Sequence, residues 1–266
     1  MSKDEVRQFW SEASCGEELY LVASDTEGYR RQSAKRYELE PYIPQFAGFK
    51  QSGGKRVLEI GVGLGADHQS FAEAGAILTG IDLTERAIRH CRERFALVGL
   101  QSDLRVGDAE ALGLPNGEFD LVYSWGVIHH SPNTAAAVLE IQRVLKPGGT
   151  ARIMIYHKWS MVGVMLWLRY GVLRLRPTIP WVELYDRYLE SPGTKAYTPE
   201  EARRLFQGFS SLKVWTQLTH ADLLTSAAGQ RHRGALQSIA RRLWPRWLVA
   251  RCFAGWGLFL MIEAVK

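Results

Sequence analysis

The sequence predicts an α/β fold in which helices cover both faces of a largely parallel β-sheet. Between Arg56 and Tyr156, short apolar runs alternate with segments of helical periodicity, and the connections between them are short. The first apolar run also ends in a cluster of glycines. Such alternation is typical of βα units in a doubly wound sheet, whose crossovers are right-handed almost without exception.

The elements of this region follow one another in a regular order. Thr84 can cap a helix, and the apolar residues that follow it recur on one helical face. A further helix is predicted over Ala135–Leu145 and is stopped by Pro147-Gly148-Gly149. The strands are predicted at Val57–Ile60, Ile77–Ile81, Leu104–Val106, Phe119–Ser124 and Thr150–Tyr156.

The segments outside this region have a different character. Residues 1–50 are aromatic-rich and mostly helical, which predicts an N-terminal helical lid on a core at 51–158. An apolar stretch at Trp159–Leu175 and an irregular one at Thr178–Pro199 form an insertion, 159–198, that is expected to cap a substrate. A helix from Pro199 and strands at Leu212–Leu218 and Leu258–Val265 end the core over 199–266, interrupted by a basic helical insertion at 220–254.

Composition restricts the class of protein. The chain has 266 residues, 46% hydrophobic and 23% charged, as ordinary globular proteins do. Its charged first residues do not resemble a secretory signal, and the apolar run Cys252–Ile262 is too short for a transmembrane helix. Three scattered cysteines argue against a disulfide framework or a zinc site. We therefore expect a cytoplasmic protein without a transmembrane segment or a metal.

The positive charge is localised. The net charge is +5, and Leu223–Ile262 carries six arginines and no Asp, Glu or Lys. The rest of the chain is nearly neutral, which argues against a nucleic-acid surface. Residues 235–251 fit a basic amphipathic helix that lies on the inner membrane surface, with Trp244 and Trp247 at the interface. The alternative, which we prefer, is a surface helix that packs on the domain.

The glycine cluster Gly61-Val62-Gly63-Leu64-Gly65 joins a strand to a helix. The first glycine permits a tight turn, the second lets a ligand approach the backbone, and the third allows close packing. The third glycine comes one residue earlier than in a dinucleotide-binding fingerprint, which argues against an NAD-dependent enzyme. Asp82 ends the second strand, where a carboxylate binds ribose hydroxyls. Asp108 follows the third, where an acid can hold an adenine amino group.

Four motifs together resemble those of the class I S-adenosylmethionine (SAM)-dependent methyltransferases, specifically the small-molecule branch that includes ubiquinone and menaquinone biosynthesis methylases. They cover roughly Arg56–Tyr156. The motifs are Val57–Gly65, Gly80–Leu83, Gly107–Glu110 with Leu114-Pro115 and Phe119–Val122, and Leu145–Gly149.

The resemblance implies a seven-stranded sheet whose last strand is antiparallel, SAM as cofactor and S-adenosylhomocysteine (SAH) as product. Glu59, Gly61 and Gly63 would line the methionine end of SAM, with Gly65 and Leu83 completing the set. Asp82 would bind the ribose, and Asp108 and Ala109 the adenine. Ser124, Trp125 and Gly126 would border the methionine part and the methyl group.

The resemblance also predicts the reaction, methylation of a small-molecule acceptor that is partly apolar or lipid-like. The acceptor atom, O, N, S or C, stays open. After the fourth strand, Ser124–His130 lacks the Asn-Pro-Pro-Tyr-like turn of base-amino methylases, which argues against a nucleic-acid substrate. A catalytically silent SAM-binding module is a further alternative, opposed by the intact acids Glu59, Asp82 and Asp108.

A general base is needed only if the acceptor atom holds a proton. His129 and His130 are the candidates, His129 being preferred, because a neutral imidazole has a useful pKa. Both histidines could instead be structural. Tyr156, with His157, ends the fifth strand at the ligand-binding edge and is a third candidate, with packing against the cap as the alternative.

Overall fold

The computed structural model describes residues 2–189, 191, 193–226, 242 and 244–266. Its centre is a seven-stranded sheet with the order β3-β2-β1-β4-β5-β7-β6. β7 pairs antiparallel with β5 and β6, and the other pairs are parallel, which confirms the predicted sheet. The strands are β1 (Arg56–Ile60), β2 (Ile77–Asp82), β3 (Asp103–Val106), β4 (Phe119–Trp125), β5 (Leu145–Tyr156), β6 (Ser211–Gln217) and β7 (Phe259–Val265).

Helices precede, connect and follow these strands. Short 3-10 turns occupy Phe49–Gln51, Val172–Arg174 and Ala254–Trp256. The helices are α1 (Lys3–Glu12), α2 (Glu17–Tyr20), α3 (Thr26–Leu39), α4 (Ile43–Ala47), α5 (Ala66–Glu73), α6 (Glu85–Val98), α7 (Thr134–Val144), α8 (Met161–Tyr170), α9 (Trp181–Tyr188), α10 (Pro199–Leu205) and α11 (Arg246–Cys252).

Alternate strand residues enter two hydrophobic cores, one on each face of the sheet. Leu58 and Val122 pack in the core that contains α7. Their neighbours Val57 and Leu121 pack in the core that contains α5 and α6. Because successive strand side chains point to opposite faces, both faces must be covered to remove these residues from water. The result is the predicted three-layer arrangement.

The site is positioned by the order of the strands. β1 pairs with β2 on one side and with β4 on the other, so the chain connections diverge on the two sides of β1. In open α/β sheets, ligands bind in the crevice outside the carboxyl ends of the strands at such a switch point. β6 runs parallel to β5, because both are antiparallel to β7. The carboxyl end of β6 therefore lies at the same edge of the sheet as the carboxyl ends of the parallel strands.

Two sequence-based expectations were wrong in detail. Thr178–Pro199, expected to be irregular, contains α9, which begins after Pro180 and buries Leu184 and Tyr185 while Val182 is exposed. Prolines and a glycine lie close to this short segment, and they favoured the prediction of irregular structure over that of an amphipathic helix. β5 begins at Leu145 rather than Thr150. Phe119 of β4 pairs with Leu145, and the backbone of Lys266 forms hydrogen bonds with Gly148 and Gly149, so the strand continues through the predicted turn.

The end of the chain is partly described. Of the predicted basic insertion 220–254, residues 227–241 and 243 lie outside the described residues, and these include 235–241 and 243 of the amphipathic helix proposed at 235–251. Residues 220–224 form turns, and α11 begins after Pro245. Among the described residues, no helix combines the length and apolar character required for crossing a bilayer.

Candidate functional site

The glycine turn after β1 forms the base of the site. Gly61, Gly63 and Gly65 all have positive φ values, of 84°, 51° and 74°. A Cβ on Gly61 would lie 2.1 Å from Cγ2 of Val127, whereas one on Gly63 would meet nothing within 4 Å. Gly61 is therefore needed for packing as well as for its backbone conformation, and Gly63 keeps space open beside the backbone.

We expect Gly61→Ala to destabilise the protein by about 1–3 kcal/mol more than Gly99→Ala, because overpacking adds to backbone strain. Gly99 has a similar φ of 67° but open space around its Cβ position, so it isolates the cost of the left-handed conformation. Urea unfolding of both variants measures the difference. Equal losses of stability would contradict the role of the Val127 contact.

A cavity of about 430 Å³ opens at the carboxyl edge of the sheet. Ser124 is the exception among the predicted cofactor residues, since it is fully buried and does not line the cavity. The predicted cofactor residues that line the cavity are Glu59, Gly61, Gly63, Gly65, Asp82, Leu83, Asp108, Ala109, Trp125 and Gly126.

Asp82 connects the end of β2 to the glycine turn. Its Oδ1 accepts hydrogen bonds from the backbone N–H of Thr84 at 3.0 Å and from the Thr84 hydroxyl at 2.9 Å. Its Oδ2 accepts the N–H of Gly63 at 3.2 Å. Burial raises the pKa of Asp82 despite these donors. The carboxylate is thus held at the cavity wall in a fixed orientation, as a ribose-binding acid requires.

Asp108 follows β3 and lines the cavity. Its carboxylate accepts the N–H of Glu110 at 2.9 Å and forms an ion pair with Lys3 of α1. Lys3 also pairs with Glu110 at 2.9 Å. Lys3 and Trp10 line the cavity, so α1 lies over the predicted adenine end.

A buried group of charges supports the floor of the cavity. The Arg36 guanidinium donates two hydrogen bonds to Asp67, from Nε at 2.9 Å and from Nη2 at 2.6 Å. The hydroxyls of Tyr37 and Tyr123 donate to the same carboxylate. Burial would raise the pKa of Asp67, but the Arg36 guanidinium outweighs it and the pKa is lowered. Asp67 therefore remains a carboxylate beside Glu59.

The two candidate histidines have different positions. His130 lines the cavity, and its Nδ1 lies 3.0 Å from the Ser191 hydroxyl. His129 is fully buried, does not line the cavity, and has no hydrogen-bond partner on either ring nitrogen within the described part of the chain. Its ring lies 4.1 Å from that of His130 and 4.2 Å from that of Tyr156. Burial lowers the pKa of His129 well below its ordinary value.

Beyond the cofactor half, the cavity becomes mostly apolar. Tyr156 lines it, whereas the buried His157 bonds the carbonyl of Gly257 at 3.0 Å through Nδ1 and lies outside it. The insertion contributes Val162, Leu166 and Leu189. The other apolar residues of this half are Met154, Leu258 and Phe259.

The sequence reasoning missed several polar residues of this half. His220 follows β6 and lines the cavity, and its position after a strand that ends at the ligand edge could have indicated it. Arg36, Glu40 and Tyr20 also line the cavity, but they come from N-terminal helices whose packing direction no local pattern shows. Burial raises the pKa of Tyr20 to about 12.

These residues fit an adenosylated amino acid. Acids are spaced along the cavity for a ribose and an adenine, and open space remains beside Gly63. The fold and the site together define a class I, Rossmann-like methyltransferase architecture.

Comparison with known proteins supports this assignment. Residues 58–153 match the family described as a methyltransferase domain. The ubiquinone biosynthesis O-methyltransferase of Aromatoleum aromaticum is 39% identical over 97 residues, which span 36% of this chain and 42% of that protein. The chain thus covers less than half the length of this relative.

Solved structures share the fold over nearly the whole chain. Magnesium protoporphyrin IX methyltransferase from Synechocystis PCC 6803 with bound SAH has a TM-score of 0.60 and 13% identity, covering 100% of both chains. A SAM-dependent methyltransferase from Archaeoglobus fulgidus has a TM-score of 0.56 and 18% identity, covering 95% of this chain and 98% of its own. The chain therefore shares the fold of these enzymes, and the match of residues 58–153 to a methyltransferase domain indicates SAM as cofactor.

Proposed function

We propose that the protein transfers a methyl group from SAM to a small-molecule acceptor. The observation that carries the proposal is one continuous cavity, lined at one end by the acids and glycines expected for SAM and beyond them by apolar side chains with a few polar ones such as Tyr156 and His220. The ubiquinone methyltransferase relative is named as an O-methyltransferase, which makes a hydroxyl the first acceptor group for testing. The acceptor atom itself is left open.

The chain's own residues perform binding and orientation. SAM supplies a methyl group already activated on a sulfonium, so positioning provides much of the rate. Asp82 and Asp108 hold the nucleoside, and Glu59 and the glycine turn hold the amino acid part. Trp125 and Gly126 border the end of β4, where they direct the reactive centre toward the apolar half of the cavity. Met154, Leu258 and Phe259 exclude water from that half.

The lid and cap roles of residues 1–50 and 159–198 are part of the same proposal. Lys3 and Trp10 support a lid over the cofactor, and Leu166 and Leu189 support a cap over the acceptor. We also propose a cytoplasmic location, with a small molecule rather than nucleic acid as partner. Membrane contact through 235–251 remains a hypothesis, and vesicle co-sedimentation of the full chain tests it.

The cofactor is tested first by thermal unfolding with SAH and, separately, with NAD. A ligand at 100 times its Kd adds about 2.7 kcal/mol to the stability of the folded state. We expect stabilisation by SAH alone, followed by SAH release from SAM in a panel of phenol, amine, thiol and carboxylate acceptors. Stabilisation by NAD alone would overturn the proposal. SAH binding without turnover of any acceptor would favour a silent binding module.

For an acceptor that must lose a proton, we propose His130 as general base, because it lines the cavity and His129 does not. His130→Gln is expected to lower kcat by about 100-fold or more, the usual contribution of a general base. His129→Gln is the matched neighbour and should lower kcat much less. The measurement is SAH release under saturating SAM, together with SAH affinity to show that the cofactor site is intact.

Two results would contradict this role of His130. One is an equal loss of kcat in the His129 and His130 variants, which would indicate a structural effect on the shared ring cluster. The other is an unchanged kcat in His130→Gln with a hydroxyl acceptor. A surviving pH dependence in that variant would direct attention to Tyr156 or His220, which line the same cavity.

A further inference from the structure

A buried chain of polar side chains runs from the cavity into the protein at Glu59. Glu59 lines the cavity but is only 3% exposed, and its Oε2 lies 2.8 Å from Nδ1 of His68. Nε2 of His68 lies 2.8 Å from the Ser102 hydroxyl. That hydroxyl donates to the carbonyl of Leu78 at 2.9 Å. The chain thus ends on the backbone of β2.

The donors and acceptors of this chain determine where protons lie. Ser102 has one hydroxyl proton and gives it to Leu78, so its oxygen can only accept from His68. Nε2 of His68 must then carry a proton. One more proton is required between Nδ1 and the Glu59 carboxyl, because two lone pairs at 2.8 Å would repel each other. The Glu59–His68 pair therefore contains one proton in this contact and has no net charge.

The surroundings favour the neutral form of both groups. Burial, reinforced by the carboxylates of Asp67 and Asp82, raises the pKa of Glu59 well above its ordinary value, against the opposing effect of Arg36 and Arg94. Burial lowers the pKa of His68 to about 3. Cys91 and Tyr123 also interact with Glu59, and burial raises the pKa of each, so both stay uncharged.

We propose that Glu59 and His68 hold this proton in the cofactor-free protein and release it to solvent when the ammonium group of the cofactor's amino acid part binds at Glu59. The inference rests on the proposed function. The O–H proton of Glu59 moves to Nδ1 of His68, Nε2 of His68 loses its proton to the buffer, and the Ser102 hydroxyl turns to donate to Nε2. The resulting carboxylate accepts the Nδ1–H of His68 and an N–H of the ammonium. His68 and Ser102 act as positioning residues that hold the carboxyl at the cavity wall.

The physical reason is a change of the charges around Glu59. Without a cofactor, an ionised Glu59 would be a third carboxylate near Asp67 and Asp82, with little water to solvate it. A bound cation compensates that charge. Binding then couples to proton loss, and affinity rises with pH as long as free Glu59 remains protonated.

The experiment is isothermal titration calorimetry of the full chain with SAH between about pH 5 and pH 8, in two buffers that differ in ionisation enthalpy. We expect release of close to one proton per SAH bound, and an affinity that rises up to tenfold per pH unit. The matched probe is 5′-methylthioadenosine, which has the adenosine and sulfur but no amino acid part. It should bind without proton release.

Two variants test the roles of Glu59 and His68 separately. Glu59→Gln should abolish proton release and flatten the pH dependence, because its amide stays neutral and can donate to Nδ1 of His68. His68→Gln, which removes the imidazole acceptor, should shift the rise in SAH affinity to lower pH. Glu73→Gln, on the exposed face of α5, is the control and should behave as the unsubstituted protein does.

The outcomes separate the two proposals. Failure of SAH to bind the unsubstituted protein would overturn the proposed function. Tight SAH binding with no proton release, or the same proton release with 5′-methylthioadenosine, would leave the cofactor assignment intact and overturn the role of Glu59 and His68. Retention of proton release in Glu59→Gln would assign the proton to another group, and so would overturn the inference.

Discussion

Asp82→Ala is expected to weaken SAH binding by about 100-fold, the largest loss of affinity for any single cofactor residue. A hydrogen bond to a charged group contributes about 1.5–3 kcal/mol, and a ribose offers Asp82 two hydroxyl donors. The substitution also removes the acceptor for the N–H of Gly63, which loosens the glycine turn. Calorimetric titration with SAH measures the change.

Asp103→Ala is the matched control for this prediction. Asp103 begins β3 and pairs with Arg105 on an exposed surface, away from the cavity. Its loss should leave SAH affinity within about twofold, since exposed ion pairs contribute less than about 1 kcal/mol. Affinities of the Asp82 and Asp103 variants that agree within threefold would refute the assignment of Asp82 to the ribose.

Arg36→Met is expected to lower the free energy of unfolding by about 3 kcal/mol, because it leaves the carboxylate of Asp67 buried without its cation. The melting temperature should fall by about 6–12 °C in a chain of this size. Arg30→Met is the matched control on the same helix, since Arg30 pairs with Glu27 at the exposed surface. It should change stability by less than about 0.5 kcal/mol.

The effect of Arg36→Met on stability should depend on pH, because Asp67 titrates. The pKa of Asp67 is lowered in the folded protein, so its pairing contributes stability at neutral pH that is lost as pH falls through the folded-state pKa. The difference between Arg36→Met and the unsubstituted protein should therefore shrink in acid. The double variant Arg36→Met/Asp67→Asn should recover much of the loss. An additive double variant would show that Arg36 acts through packing alone.

The fold was largely predictable because its signals are local. Each core strand is an apolar run between turn residues, and each crossover helix has its own cap and periodicity. Asp82 was predictable for the same reason, because the residue at the end of a parallel strand must lie at the ligand edge. The prediction was wrong for α9, where Pro177, Pro180 and Gly193 lie close to a short amphipathic helix.

Ser124 and His129 show the limit of this reasoning. Both are adjacent in sequence to residues that line the cavity, Trp125 and His130, but both point into the protein interior. The alternation of side chains along β4 and the conformation of the turn after it decide which of two adjacent residues faces the ligand. A motif match does not show which of the two it is. The assignment of His130 as the candidate base depends on that orientation.

Local sequence patterns predicted the parallel sheet, the glycine turn, and the acids at the ends of β1, β2 and β3. These follow from interactions between residues that are close in the chain. No such pattern indicated that Arg36 reaches Asp67, that His220 lines the cavity, or that Ser102 and His68 hold Glu59. Such contacts join residues far apart in sequence, and the packing of whole helices against the sheet, rather than any local pattern, brings them together.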